Sequence, residues 1–131
     1  MREIYLKGFE ICVKKAQPLA LMTSYNLLNG THTSARRDLT TEILREEWGF
    51  RGIVMTDWVI NMMMNRKSVY PGACASKTVK AGGDLYMPGG PADFKNLMDA
   101  LKSGELTRAD LERTGTRVLR MVLKMKEAQK Q

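Results

Sequence analysis

Asp57 and Trp58 set a carboxylate beside a broad apolar ring. They follow Ile53-Val54-Met55-Thr56, a short β-branched and apolar run of the kind buried on both faces of a parallel sheet. In such sheets ligands meet the carboxyl ends of the strands, where the loops begin. A carboxylate placed there costs burial energy unless it is paired. Asp57 therefore has two readings: the cap of a following helix, or a catalytic carboxylate with an aromatic platform beside it. Few other residues offer chemistry. His32, the only histidine, falls in a loop, where it either lines a site or is simply solvated. Cys12 and Cys74 are far apart, outside any metal spacing and too few for a disulfide framework. They favour a reducing compartment, and a cytoplasmic location is expected. No cofactor and no metal is expected.

The elements that must position these residues alternate along the chain. Residues 2 to 16 place Ile4, Leu6, Phe9, Val13 and Ala16 at helical spacings, and Pro18 ends that helix. Leu19 to Tyr25 reads as a buried strand. Asn26 to Ser34 is a polar loop with a turn signal at Asn29-Gly30. Leu39, Ile43, Leu44 and Glu47 define a second helix, with Thr33 or Ser34 as caps and Gly49 as its end. After Asp57-Trp58 comes an irregular stretch with a methionine triplet, Met62-Met63-Met64, which reads as core filling or as a lid or partner surface. Ala75 to Ala81 is a short helix, and Asp84 to Met87 a third strand. Pro88-Gly89-Gly90-Pro91 turns the chain into a helix from about Ala92 to Lys102. Thr107 and Asp110 open the last helix as a capping-box variant, stapled by Leu106 and Leu111, with an apolar stripe of Leu111, Val118, Val122 and Met125. Such alternation implies an α/β fold with a parallel sheet and right-handed crossovers. Three strands do not close an eight-stranded barrel, which takes about 250 residues.

The net charge of +7, from 21 basic and 14 acidic residues, gathers largely at the carboxyl end on Lys124, Lys126 and Lys130. A solvated helix face explains it better than a nucleic-acid footprint. No apolar run approaches the ~20 residues of a membrane span. Neither nucleic acid nor membrane is expected as a partner. Met1-Arg2-Glu3-Ile4 enters a helix with no cap, so the start is expected to be a cut within a longer protein.

Five blocks, in order and at their spacings, resemble a known family: Arg2-Glu3-Ile4-Tyr5-Leu6; Met22-Thr23-Ser24-Tyr25-Asn26 with Asn29-Gly30; Leu44-Arg45-Glu46-Glu47-Trp48-Gly49-Phe50; Gly52-Ile53-Val54-Met55-Thr56-Asp57-Trp58; and Ala81-Gly82-Gly83-Asp84-Leu85-Tyr86-Met87-Pro88-Gly89. They look like the later part of the catalytic barrel of glycoside hydrolase family 3, the β-glucosidase-like enzymes. The resemblance runs nearly end to end and makes residues 1–131 a partial barrel domain: the C-terminal portion of a TIM-like (β/α)8 barrel, about three parallel strands with flanking helices. It implies that Asp57 is the catalytic nucleophile, that Tyr25 and Met22 lie at the sugar site, and that Trp58 stacks on the substrate. Thr56 replaces the family's usual Ser, Gly83 its usual Leu, and Tyr86 stands where an acid is common.

The resemblance also implies what must come from elsewhere. The Lys-His pair and the Asp and Arg that hold sugar hydroxyls belong to earlier barrel strands, and the general acid/base usually to a separate sandwich domain. The expected partners are thus a β-glucoside-type carbohydrate, the missing barrel half with its acid/base domain, and further copies of the chain by self-association. A retaining glycosidase needs two carboxyl groups ~5–5.5 Å apart. Thr56, Tyr25 and loop amides are the donors available to keep Asp57 ionised. Asp84 sits at the beginning of its strand and reads as structural. Two alternatives stand beside a glycosidase fragment. One is a non-catalytic binding module that reuses the half-barrel. The other is Schiff-base chemistry, disfavoured because no Lys lies in the three strands.

Overall fold

The computed structural model describes residues 1–60 and 69–130, so Met62-Met63-Met64 lie outside the described residues. The first helix, α1, spans Lys7–Ala16, shorter than its apolar pattern, because residues 2–6 form turns rather than helix. It ends two residues before Pro18, with Gln17 between them in the left-handed region (φ 45°) and its amide returned to the Val13 carbonyl at 3.1 Å.

Strand β1 covers only Ala20–Met22 of the apolar run 19–25. The loop that follows holds a small hairpin: β2 (Leu27–Leu28) pairs antiparallel with β3 (Thr31–His32). Its turn residues Asn29 and Gly30 both have positive φ, 50° and 79°, the geometry that Asn-Gly supplies at least cost. A Cβ on Gly30 would lie 2.6 Å from Tyr70 ring atoms, so glycine is also required for space.

Thr33–Ala35 is a 3₁₀ turn, and the expected caps belong to it rather than to the next helix. That helix, Asp38–Glu47, is capped by Arg37 without a side-chain bond and is wound as a π-helix, its C-terminal Trp48 amide reaching the Ile43 carbonyl at 3.0 Å. Wide winding of this length is rare. Gly49, at φ 72°, releases the chain into β4 (Ile53–Met55).

Strands β1 and β4 are parallel, with Ala20, Leu21 and Met22 opposite Ile53, Val54 and Met55. The expected third strand is reduced to a single parallel bridge, Met55 to Leu85. Its backbone still pairs closely: the Asp84 and Leu85 amides both donate to the Val54 carbonyl, at 2.8 and 3.1 Å. Helices α2 (Ala75–Ala81), α3 (Pro91–Ser103) and α4 (Arg108–Ala128) complete the described chain. The capping box of α4 is present in full: Thr107 and Asp110 each bond the other's backbone amide.

Two apolar cores result among the described residues. One joins Val13 of α1, Ile43, Leu44 and Trp48 of the π-helix region, Phe50 and Val54. The other joins Val79, Ala100 and Leu106. Between sheet and helices lies a buried ion cluster. The Asp84 side chain, 0% exposed, accepts from Arg45 Nη2 (2.6 Å), the Val54 amide (2.8 Å) and Arg117 Nη1 (3.2 Å). Burial pulls the pKa of Arg45 down, and the Asp84 charge opposes that fall. Asp84 is thus structural, as its place at the strand's beginning suggested. Gly83 stands beside it because a Cβ there would approach Thr78 Cγ2 to 2.6 Å.

Candidate active site

At the carboxyl ends of β1 and β4 the parallel ladder runs on for one step, the Thr23 amide donating to the Met55 carbonyl at 2.9 Å. The two chains then diverge. One carries Tyr25, the other Asp57 and Trp58. Tyr25 reaches back across the gap, its hydroxyl donating to the Trp58 carbonyl at 2.8 Å. The phenol lies close enough to the Asp57 carboxylate for its pKa to rise, first through lost solvation and then through the hydrogen bond with Asp57 and its negative charge. Asp57 is half-buried, and its Oδ1 accepts the Trp58 amide at 2.7 Å. The helix-cap reading of Asp57 turns on residues 61–68, outside the described residues.

Trp58 is 55% exposed, and its indole stands open to solvent beside the carboxylate. Met22, the last residue of β1, is exposed on the same sheet edge and lines an apolar groove of about 690 Å³ with Phe9, Leu21, Ile43 and Trp48. Asp57, Tyr25 and Trp58 do not line that groove. The groove exposes apolar side chains beside β1. The structure thus brings Tyr25, Asp57 and Trp58 together and leaves Met22 at the rim.

Two expectations need correction. Thr56 does not serve the Asp57 carboxylate as a donor; its hydroxyl accepts the Met87 amide at 2.9 Å. His32 is neither solvated nor at the site. It is 1% exposed, with Nδ1 accepting the Ser34 amide at 3.2 Å, which leaves the proton on Nε2. Burial lowers its pKa. Asp84, spent on two arginines, is not a second catalytic acid. Among the described residues no group of three or more His, Cys, Asp or Glu side chains could hold a metal. Among them, too, no helix is long and apolar enough to cross a membrane.

Residues 1–121 match the family model described as the glycosyl hydrolase family 3 N-terminal domain. The chain belongs to glycosyl hydrolase family 3. It is 41% identical over 126 residues to a β-glucosidase of Ruminococcus albus, a match that covers 94% of this chain and 13% of that protein. It is 38% identical over 130 residues to an exo-α-(1→6)-L-arabinopyranosidase of Bifidobacterium breve, covering 98% of this chain and 15% of the relative. The solved structure of β-glucosidase 3B from Thermotoga neapolitana in complex with glycerol superposes with a TM-score of 0.79 at 39% identity, over 93% of this chain and 17% of that one. The chain therefore spans roughly one-seventh of the length of the family members it matches. Enzymes named for different sugars share this family's sequence here.

Proposed function

We propose that residues 1–131 are a partial catalytic barrel domain, the later part of a (β/α)8 barrel, from a retaining glycoside hydrolase acting on terminal β-linked sugars. Asp57 is its nucleophile. The observation that carries this reading is the placement of Asp57 at the carboxyl end of β4, its carboxylate facing the Trp58 amide and the Tyr25 hydroxyl. That is the end of a parallel strand where barrel enzymes bind ligands.

In the first step an Asp57 oxygen attacks the anomeric carbon while a protonated carboxyl group from outside this chain gives its proton to the departing glycosidic oxygen. The bond from anomeric carbon to leaving oxygen breaks, and a glycosyl ester forms on Asp57. In the second step a water, deprotonated by the same outside carboxylate, attacks that carbon and frees Asp57. The Tyr25 hydroxyl, donating to the Trp58 carbonyl, lies beside the attacking carboxylate. Trp58 presents its apolar face to the C–H-rich face of the sugar, and Met22 closes the edge of the subsite. Without the outside acid the isolated chain is inactive.

The test is Asp57→Asn in the complete enzyme, assayed with an aryl β-glucoside. The expected result is a loss of several orders of magnitude in kcat with KM little changed. Near-normal turnover would reject Asp57 as the nucleophile.

A further inference from the structure

Resting on the reading of Asp57 as nucleophile, we propose that Thr56 is a positioning residue for its carboxylate: the Thr56 hydroxyl fastens the turn that bears Asp57 to the segment 85–87. The β1–β4 ladder holds the chain as far as Met55. From there the turn is held on its other side by three hydrogen bonds. The Thr56 amide donates to the Leu85 carbonyl at 2.9 Å, the Met87 amide to Thr56 Oγ1 at 2.9 Å, and the Val59 amide to the Met87 carbonyl at 3.1 Å. These bonds bracket Asp57 and Trp58. Two run between main-chain atoms and survive a side-chain change. The third passes through the Thr56 hydroxyl.

Packing alone does not ask for that hydroxyl. Thr56 is fully buried, and a valine would fill the same space. It would leave the amide of half-buried Met87 without its acceptor, and an unpaired donor of this kind drives local rearrangement. The turn is also under tension. Val59 sits at φ 46°, in the left-handed region that β-branched residues avoid. A strained turn relaxes when a tether is cut, and Asp57 lies two residues from the strained one. Attack on an anomeric carbon depends on near-contact geometry, where about 1 Å of misplacement costs on the order of 100-fold in rate.

The experiment uses the complete enzyme and the dinitrophenyl 2-deoxy-2-fluoro-β-glucoside, whose first step leaves a slowly hydrolysed adduct on the nucleophile. Mass spectrometry locates the adduct and times its formation, and amide exchange is followed at Met87 and Val59. In the parent enzyme the adduct forms on Asp57. Thr56→Val forms it about 10- to 100-fold more slowly, with faster exchange at both amides. Thr56→Ser, which keeps the hydroxyl, restores rate and protection. If Thr56→Val does not fold, Thr56→Ala gives the same comparison without branched bulk. Labelling at the parent rate in the Val or Ala variant, or a Ser variant as slow as they are, overturns the proposal. An adduct on another residue of the parent enzyme overturns the nucleophile reading instead, and amide exchange then still decides whether Thr56 fastens the turn.

Discussion

Replacing Asp84 with asparagine leaves shape almost unchanged and removes one buried charge. The carboxylate is 0% exposed, and the Arg45 side chain beside it is 8% exposed, so neither partner can recover its solvation in place. Arg117, 19% exposed, recovers part of it. Breaking a buried pair by neutralising one member costs about 3–5 kcal/mol, because the other charge stays buried without compensation. Asparagine can still accept the Val54 amide, so the lower half of that range applies if its carbonyl keeps that bond. A loss of about 4 kcal/mol over a urea slope of about 2 kcal/mol per molar lowers the unfolding midpoint by about 2 M. Trp48, buried in the first core, reports the transition by fluorescence. Replacing all three charges together, Asp84→Leu with Arg45→Met and Arg117→Met, should cost less than Asp84→Asn alone, since apolar packing often matches a buried ion cluster. A midpoint shift of Asp84→Asn under about 0.5 M, or a triple variant weaker than the single one, would show that solvent reaches the cluster and would refute the argument.

Two further outcomes are expected. Burial lowers the pKa of His32, so the unfolded chain takes up its proton first as pH falls; the stability tied to neutral His32 is complete above about 6.5 and drains away below it. The Thr107 backbone amide, with help from the Thr107 hydroxyl, Arg113 and Lys80, holds Asp110 well below the usual carboxylate range, so its contribution is present above about 3.9 and is lost only in stronger acid. Urea midpoints measured against pH should show both steps, and His32→Gln should abolish only the upper one; its persistence in that variant would reject His32 as the source. The chain alone should associate and show no turnover, because Ile4, Tyr5 and Phe9 on one side, and Leu119, Val122, Leu123 and Met125 of α4 on the other, stand exposed among the described residues. Light scattering that gives a monomer, or hydrolysis of an aryl glycoside abolished by Asp57→Asn, would refute one or the other half of that expectation.

Which parts of this molecule the sequence reveals follows from how far apart the deciding atoms lie. The capping box at Thr107 and Asp110 closes over three residues, so its signature is complete in the local sequence. Ile53–Met55 announces itself by composition, because both faces of the strand are covered. The Asn29-Gly30 pair marks the turn, yet the hairpin around it was not legible, since each of its strands has only two residues and no alternation can be read from two. The third strand shrinks to one bridge for a related reason: Asp84 turns its carboxylate back to the Val54 amide, and the Thr56 hydroxyl, not a main-chain carbonyl, takes the Met87 amide. No periodicity announces such substitutions of side chain for ladder. The ion cluster is more remote still, joining Arg45, Asp84 and Arg117 across most of the chain. The site itself divides along the same line. Asp57 and Trp58 are adjacent and stand out at once, whereas Tyr25, more than 30 residues away, is tied to them by one hydroxyl reaching the Trp58 carbonyl. Without a family pattern to link those blocks, composition alone had no means of bringing Tyr25 to Asp57. The contacts that shape the turn bearing Asp57 are the ones that a reading of local sequence is least able to see.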